Sequence, residues 1–442
     1  MGIHAVEKKQ LSAKGMLARV RSVFEKSPEP SRDQRGLKSK ISLSDCLMSG
    51  LAIFGLKFPS LLQFDEGRNN DVIKHNLMTL YQVEDIPCDT YMRERLDKVD
   101  PRIIRPAFTA IFSLLQRNKV LEDYKFLNKY LLIACDGTGM FSSPTVHCEN
   151  CCEKHHKDGH ITYYHQMLGA VVVHPDHKEV FPLCPEPISK PDGASKNDCE
   201  QNAMKRLLAD FHKEHPQLEV IFTEDALSAK GPYLRRIQEI GAHFIINVNP
   251  TGNPSLFEWI KGIELEKKII NSGKDTIELQ FYNGIPINDS NHDLEVNFID
   301  CIIKDHKGKI IAHFSWVTDI LVTHDNVYPL SKGARSRWKI ENETFNTLKN
   351  QGYQFEHNFG HGFKHLSHVF GLLIFLAFLI DQVQQRCCGL FRAAQKNMKR
   401  KIRFWNRLQS LFQEFYIDSW EDMFTWISGK KGVRLSELLN TS

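Results

Sequence analysis

Three acidic residues sit where chemistry is easiest to build. Asp136 follows a buried-looking apolar run in LLIACDGTG, Asp225 follows another in EVIFTEDALSAKGP, and Glu341 lies in RSRWKIENETFNTLKNQGY. Two aspartates delivered by strands and a glutamate on a helix make an oxygen-only donor set when they converge. Such a set suits Mg²⁺ or Mn²⁺, which bind through a few carboxylates and keep several waters. Two such ions held about 4 Å apart clamp the attacking and leaving oxygens of a phosphodiester, so the chemistry expected is cleavage or transfer of a nucleic-acid strand. Each acid also has an ordinary structural reading. Asp136 can close its Gly-rich turn, Asp225 can cap the helix that follows, and Glu341 can pair with Arg337 one helical turn earlier.

The glutamate stretch contains a second candidate, Glu343. On a regular helix at about 100° per residue, with Trp338 at zero, Phe345, Leu348 and Gly352 fall at about −20°, −80° and −40°. Glu341 falls among them, at about −60°, and Glu343 on the opposite side, at about +140°. The periodicity therefore predicts a buried Glu341 and a solvated Glu343. A carboxylate among core residues is costly unless it is paired or holds a cation.

The elements that must position these acids are legible in the hydropathy pattern. The chain has 442 residues, 42% of them hydrophobic, enough for two or three domains with cores of their own. Residues 1–125 read as a helical N-terminal region whose first 40 residues lean basic, a candidate for binding DNA only by analogy, with a polar basic loop or arm at Pro28–Lys40. Residues 126–254 alternate apolar strands and amphipathic helices in the order β-β-β-α-β-α-β, an α/β domain. YLLIACDGTGM delivers Asp136, LEVIFTE delivers Asp225, and the intervening helix is expected to be capped near Asn197 or Asp198. Residues 255–330 read as a β-rich insertion, 331–385 as the second part of the catalytic domain, and 386–442 as a basic helical C-terminal region.

The apolar run Val369–Ile380 is 12 residues long. A membrane span takes roughly 20, so a buried core helix is expected and no membrane partner. The N-terminus MGIHAVEKKQ lacks the apolar core of a secretion signal, and eleven cysteines without such a signal point to a reducing cytoplasm. The net charge is only +4, so local charge matters more than the total. Between Arg386 and Arg407 stand eight Lys or Arg and no acid. Lys399, Arg400, Lys401 and Arg403, interleaved with Phe404 and Trp405, make a surface suited to DNA phosphates.

A second metal is suggested by TVHCENCCEKHHKDGHITYYH. Cys148 and Cys151 have the two-residue spacing of a zinc knuckle, and His155 or His156 is within reach, which would give a structural Zn²⁺. The alternative is a loop of free thiols and surface histidines. In GYQFEHNFGHGFKHLSH, the histidines His357, His361, His365 and His368 follow a glycine-rich turn, so packing beside the glutamate helix or touching DNA is expected of them rather than metal binding.

With these motifs in hand, the chain resembles bacterial insertion-sequence transposases of the DDE type. The resemblance is carried by LLIACDGTG, VIFTEDALSAKGP and RSRWKIENETFNTLKNQGYQFEHNFGHGFKHL, and runs from about residue 125 to 370. It implies a ribonuclease H-like mixed sheet flanked by helices, with a β-rich insertion before the glutamate and helical regions at both ends. It also implies that Asp136, Asp225 and Glu341 hold two Mg²⁺ or Mn²⁺ ions. The implied activity is cleavage at transposon terminal repeats to free a 3′-OH, which then attacks target DNA. A homodimer on DNA, and residence in the bacterial cytoplasm at the nucleoid, are further implications. A wider signature of the family runs Tyr, two residues, Arg, three residues, Glu, six residues, Lys. Arg337 and Glu341 fit it, as a phosphate contact and a metal ligand. The Tyr position holds Ala334 and the Lys position Leu348, with Lys349 one step late as the other phosphate contact. The competing expectations are an inactive DNA-binding protein derived from such an enzyme, and a metal-dependent nuclease that does not join strands.

Overall fold

The computed structural model describes residues 9–28, 41–190 and 197–429. All but the first residue of the basic stretch Pro28–Lys40 lies outside them, as does the tail from Lys430 onward. The chain opens with helices α1 (Ala13–Phe24), α2 (Leu43–Gly55), α3 (Leu61–Gly67), α4 (Asp71–Tyr81), α5 (Asp89–Leu96) and α6 (Arg105–Arg117). Ser12, Ser42, Ser60 and Asn70 start the first four, each side chain accepting a backbone N–H of the first turn that has no helical partner.

Strands then take over: β1 (Lys125–Phe126), β2 (Tyr130–Ser143), β3 (Cys152–His155), β4 (Ile161–His174), β5 (His177–Pro182) and β6 (Glu186–Ile188). Helix α7 (Glu200–Glu214), strand β7 (Val220–Glu224), helix α8 (Gly231–Glu239) and strand β8 (His243–Asn247) complete the predicted alternation. After α9 (Pro254–Lys261) come β9 (Glu266–Ser272), β10 (Asp275–Pro286), β11 (Glu295–Lys304) and β12 (Ile310–Thr318). The path β3-β4-β2-β7-β8-β12-β11-β10-β9 runs through one twelve-stranded sheet, with β1 added to β2, and β5 and β6 to β4. The pairs β2–β7 and β7–β8 are parallel and the other pairs are antiparallel. The result is a mixed sheet flanked by helices.

The β-rich segment is joined to the domain it interrupts: β12 pairs with β8 through Trp316↔Asn247, Val317↔Ile246 and Thr318↔Ile245, so its strands extend the central sheet. The apolar face of that meander had to be buried somewhere, and the free edge of β8 offered backbone partners as well as a hydrophobic surface.

Helices α10 (Val327–Arg335) and α11 (Asn346–Asn350) flank a π-helical turn at Ile340–Phe345, and α12 (Leu366–Cys387), α13 (Gly389–Met398), α14 (Lys401–Glu414) and α15 (Trp420–Ile427) follow. Helix α12 is long and apolar enough to cross a membrane, but 94% of its apolar window is buried inside the protein, against α2 and β5 among others. A helix apolar all round needs such a surrounding. Its one acid, Asp381, meets Lys57 at 2.7 Å, which ties the helix to the end of α2. The two helical ends of the chain also join. The Asn76 side-chain amide donates to the carbonyls of Phe412 and Phe415, both at 2.7 Å, and the Trp420 indole donates to Leu80 O at 3.2 Å.

Candidate active site

Strand β2 outlasts its parallel neighbour. The β2–β7 register ends at Ala134↔Thr223, while β2 and β4 continue together past Asp136↔Gly169. Asp136 is therefore not at the end of its strand, as the sequence suggested, but at the place where one neighbour stops and the other goes on. Asp225 is the first residue after β7, so both aspartates leave the same end of the parallel pair. Ligands collect at such carboxyl ends. Asp225 also caps the short turn 226–228, accepting Leu227 N–H at 3.0 Å. Its neighbour Glu224 is buried and accepts hydrogen bonds from the Ser228 and Tyr233 hydroxyls. Burial pushes its pKa up to about 7.

Arg337 links the first strand to the glutamate segment. Its guanidinium donates to Asp136 Oδ2 and to Glu341 Oε1, each at 3.1 Å. The segment can come this close because Gly169, directly opposite Asp136, has no side chain. A Cβ there would lie 2.9 Å from the Phe345 ring. Gly169→Val is accordingly expected to cost about 1–3 kcal/mol by overpacking. It should also weaken any activity that needs Asp136 and Glu341 together. Denaturant unfolding beside an activity assay checks both parts.

A fourth carboxylate was not legible in the sequence. Glu200 opens α7 behind Cys199 as its N-cap, one or two residues later than the expected caps, and Asn197 and Asp198 are engaged elsewhere. Asn197 donates to Glu153 O at 2.6 Å and Asp198 pairs with Arg206 at 2.8 Å. The Glu200 carboxylate lies over Gly137: a Cβ on that glycine would sit 2.0 Å from its Oε1. An acid in the first turn of a helix is ordinary, so nothing in the sequence marked it. Burial pushes its pKa up, and so do the charges of Asp136 and Asp225. Asp136 is raised by burial against the opposing pull of Arg337, with Glu341 and Asp225 adding to the rise. Four acids thus act on one another electrostatically, with the Arg337 guanidinium bridging two of them. Mutual repulsion of this kind is relieved by a divalent cation, and the all-oxygen donors are those that Mg²⁺ or Mn²⁺ takes.

The helical wheel is corrected. Glu341 has a side chain 53% exposed and Trp338 is exposed, whereas Glu343 is half-buried. The wheel assumed a uniform 100° step, and the π-helical turn at Ile340–Phe345 breaks that step at the residue in question. The buried face is instead Ile340, Thr344, Phe345 and Leu348.

The zinc reading is corrected in its histidines. His155 is exposed on β3 and pairs with Glu153, and His156 bonds Thr162 and stacks on His160. The thiols of Cys148 and Cys151, 3.9 Å apart, face His165 of β4 and His361 of the loop before α12. His365 is near Asn150, and His368 donates to or accepts from His165 across 3.1 Å. The grouping runs through positions too far apart in sequence for spacing to reveal.

The phosphate-contact candidates divide. Lys399, Arg400 and Arg403 are exposed around the α13–α14 junction. Lys401 is half-buried, and burial lowers its pKa. Phe404 and Trp405 are core residues packed on Phe391, not aromatics displayed among the charges. A helix needs an apolar stripe to dock, and here they supply it. Lys349 is paired with Glu356 at 2.8 Å, and Arg337 is occupied by the two acids.

No model of a known protein family and no curated protein sequence matches the chain. Among solved structures it is similar to one described as the cryo-EM structure of piggyBac transposase synaptic complex with hairpin DNA. The TM-score is 0.39 and the identity 10%, over 92% of this chain and 78% of that one.

Proposed function

We propose that the protein is a DNA transposase with a ribonuclease H-like catalytic domain, which cuts at transposon ends and joins the freed 3′-OH to target DNA. The observation that carries this reading is the pairing of Asp136, on a strand, with Glu341, in a helical turn, through Arg337, with Asp225 leaving the same end of the parallel strand pair. The motifs holding those acids are the ones that resemble DDE transposases. Asp136, Asp225 and Glu341 would hold two Mg²⁺ or Mn²⁺ ions, with Glu200 beside them. When bound, such ions activate the attacking oxygen and stabilise the leaving one. Arg337 then has a second role. With the carboxylates holding cations, its guanidinium would be free to contact a phosphate, for which its planar fork is well shaped. The exposed Lys399, Arg400 and Arg403 would hold more distant phosphates without reading sequence. Two copies, one on each transposon end, and a place at the bacterial nucleoid complete the proposal.

The test is Mg²⁺-dependent cleavage of DNA carrying the element's own ends, followed by joining of the cut end to a target plasmid. Glu341→Gln should abolish both steps and Glu343→Gln should leave both nearly unchanged. Binding without cleavage in the parent protein would instead identify an inactive derivative. Cleavage without joining would identify a nuclease. Activity lost in Glu343→Gln but kept in Glu341→Gln would remove Glu341 from the site.

A further inference from the structure

We propose that Cys148, Cys151, His165 and His361 bind a structural zinc ion that fastens the β2–β4 hairpin to the loop leading into α12. The four donor atoms lie within 4.8 Å of one another. Five of the six separations lie near the edges of a tetrahedron around zinc. With Zn–S of about 2.3 Å and Zn–N of about 2.05 Å, the edges should be about 3.8 Å between sulfurs, 3.6 Å between sulfur and nitrogen, and 3.3 Å between nitrogens. The structure has 3.9 Å between the sulfurs and 3.3 Å between His165 Nε2 and His361 Nε2. The sulfur–nitrogen distances are 3.4 Å and 3.5 Å to His165 and 3.1 Å from Cys151 to His361. Two thiolates and two imidazoles in this arrangement are a zinc donor set, and four protein ligands leave no position for a substrate, so the site is structural.

The surroundings support the same assignment. Cys151, His165 and His361 are buried, with relative exposures of 2%, 0% and 7%. His165 Nδ1 faces His368 Nε2 at 3.1 Å, and a proton on that Nδ1 leaves the Nε2 lone pair aimed at the sulfurs. His361 Nδ1 has Ser367 Oγ at 3.4 Å. Partners of this kind on the far nitrogen orient metal-bound histidines. Cys151 Sγ also accepts the backbone N–H of Cys148 at 3.4 Å, a bond that favours a thiolate.

The ligands come from three places: the turn after β2, strand β4, and the loop between the Glu341 segment and α12. The same loop is held from the other side by Asp97, whose carboxylate accepts the backbone N–H groups of Phe363, Lys364, His365 and Leu366 at 2.9–3.1 Å. A bound ion would therefore clamp the hairpin that carries Asp136 to the chain that leaves Glu341. His165 stands opposite Phe141, five residues along β2 from Asp136. At about 3.3 Å per residue the clamp is roughly 17 Å from the acids, so it braces the site without entering it.

The test is the metal content of full-length protein prepared under reducing conditions with no chelator, read without any DNA, so that it stands apart from the transposase reading. The expected result is about one equivalent of zinc per chain. Cys151→Ser and His361→Ala should lower it to below about a tenth of an equivalent, and the pair His155→Ala, His156→Ala should keep it. Should the first two variants fail to fold, His361→Cys decides the point. It should retain metal, and after exchange for Co²⁺ its thiolate-to-metal absorption should exceed that of the parent. Loss of the metal should expose the loop around Gly360–Lys364 to proteases. A folded parent protein holding iron or no metal overturns the proposal, as does a Cys148–Cys151 disulfide in its place. So do loss of zinc from the His155, His156 variant with retention in His361→Ala, and a cobalt spectrum unchanged by His361→Cys.

Discussion

Asp225→Asn is expected to lower transposition by about 100-fold or more, the scale on which removing one preorganised charge partner slows a reaction. It should leave the fold and DNA binding intact. The substitution is informative because Asp225 caps a turn and, in the proposed active site, would also hold a metal ion. As a cap it needs only an oxygen that accepts the Leu227 N–H at 3.0 Å, and asparagine supplies that as well as aspartate does. As a metal ligand it needs its charge, which asparagine lacks. The variant therefore keeps the structural role and deletes the chemical one. Transposition frequency, beside a thermal melt and a DNA-binding titration, separates the two. Undiminished transposition would reduce Asp225 to a helix cap and take it out of the active site.

The largest effect on stability is expected at Asp381. Its Oδ2 receives Lys57 Nζ at 2.7 Å and the Tyr353 hydroxyl at 2.6 Å, deep between α2 and α12. The Lys57 ammonium also lies 4.0 Å from the centre of the Tyr353 ring and 4.3 Å from that of Trp405. Burial pulls the Lys57 pKa down, and the charge of Asp381 pulls it back up. Asp381→Ala leaves the buried ammonium with the Gly55 carbonyl at 2.9 Å and two rings but no opposite charge, and should cost about 3–5 kcal/mol in denaturant unfolding. The double variant Lys57→Met, Asp381→Leu should cost less, because removing both charges leaves no buried charge uncompensated. Equal losses in the single and double variants would show that packing, and not the ion pair, sets the cost.

Much of this architecture is written in local patterns. The β-β-β-α-β-α-β order follows from apolar runs broken by turns, and the burial of α12 from its being apolar on every side. The two aspartates were visible because each follows a strand core. The helical wheel failed at Glu341 because one π-helical turn shifts the phase, and no propensity announces such a turn. Glu200 was invisible because a first-turn acid is common, and only its approach to Gly137 distinguishes it. The histidines of the Cys148–Cys151 pair were misassigned because neighbours in sequence were preferred to neighbours in space. His361, one of those expected to pack or touch DNA, is the one that faces the thiols.

By itself, the sequence determined the residues available for chemistry and the elements that carry them: two acids after apolar strand cores, a third after Arg337, a cysteine pair, and a basic stretch near the end. Those features depend on contacts within a few residues, which periodicity and turn chemistry report. Only the tertiary structure decided which of them meet. It joined the β-rich segment to the edge of β8, placed the Phe345 ring against Gly169, and brought His165 and His361 to the same two thiols. Those outcomes depend on strand register and close packing between segments far apart in the chain, where absent side chains matter as much as present ones.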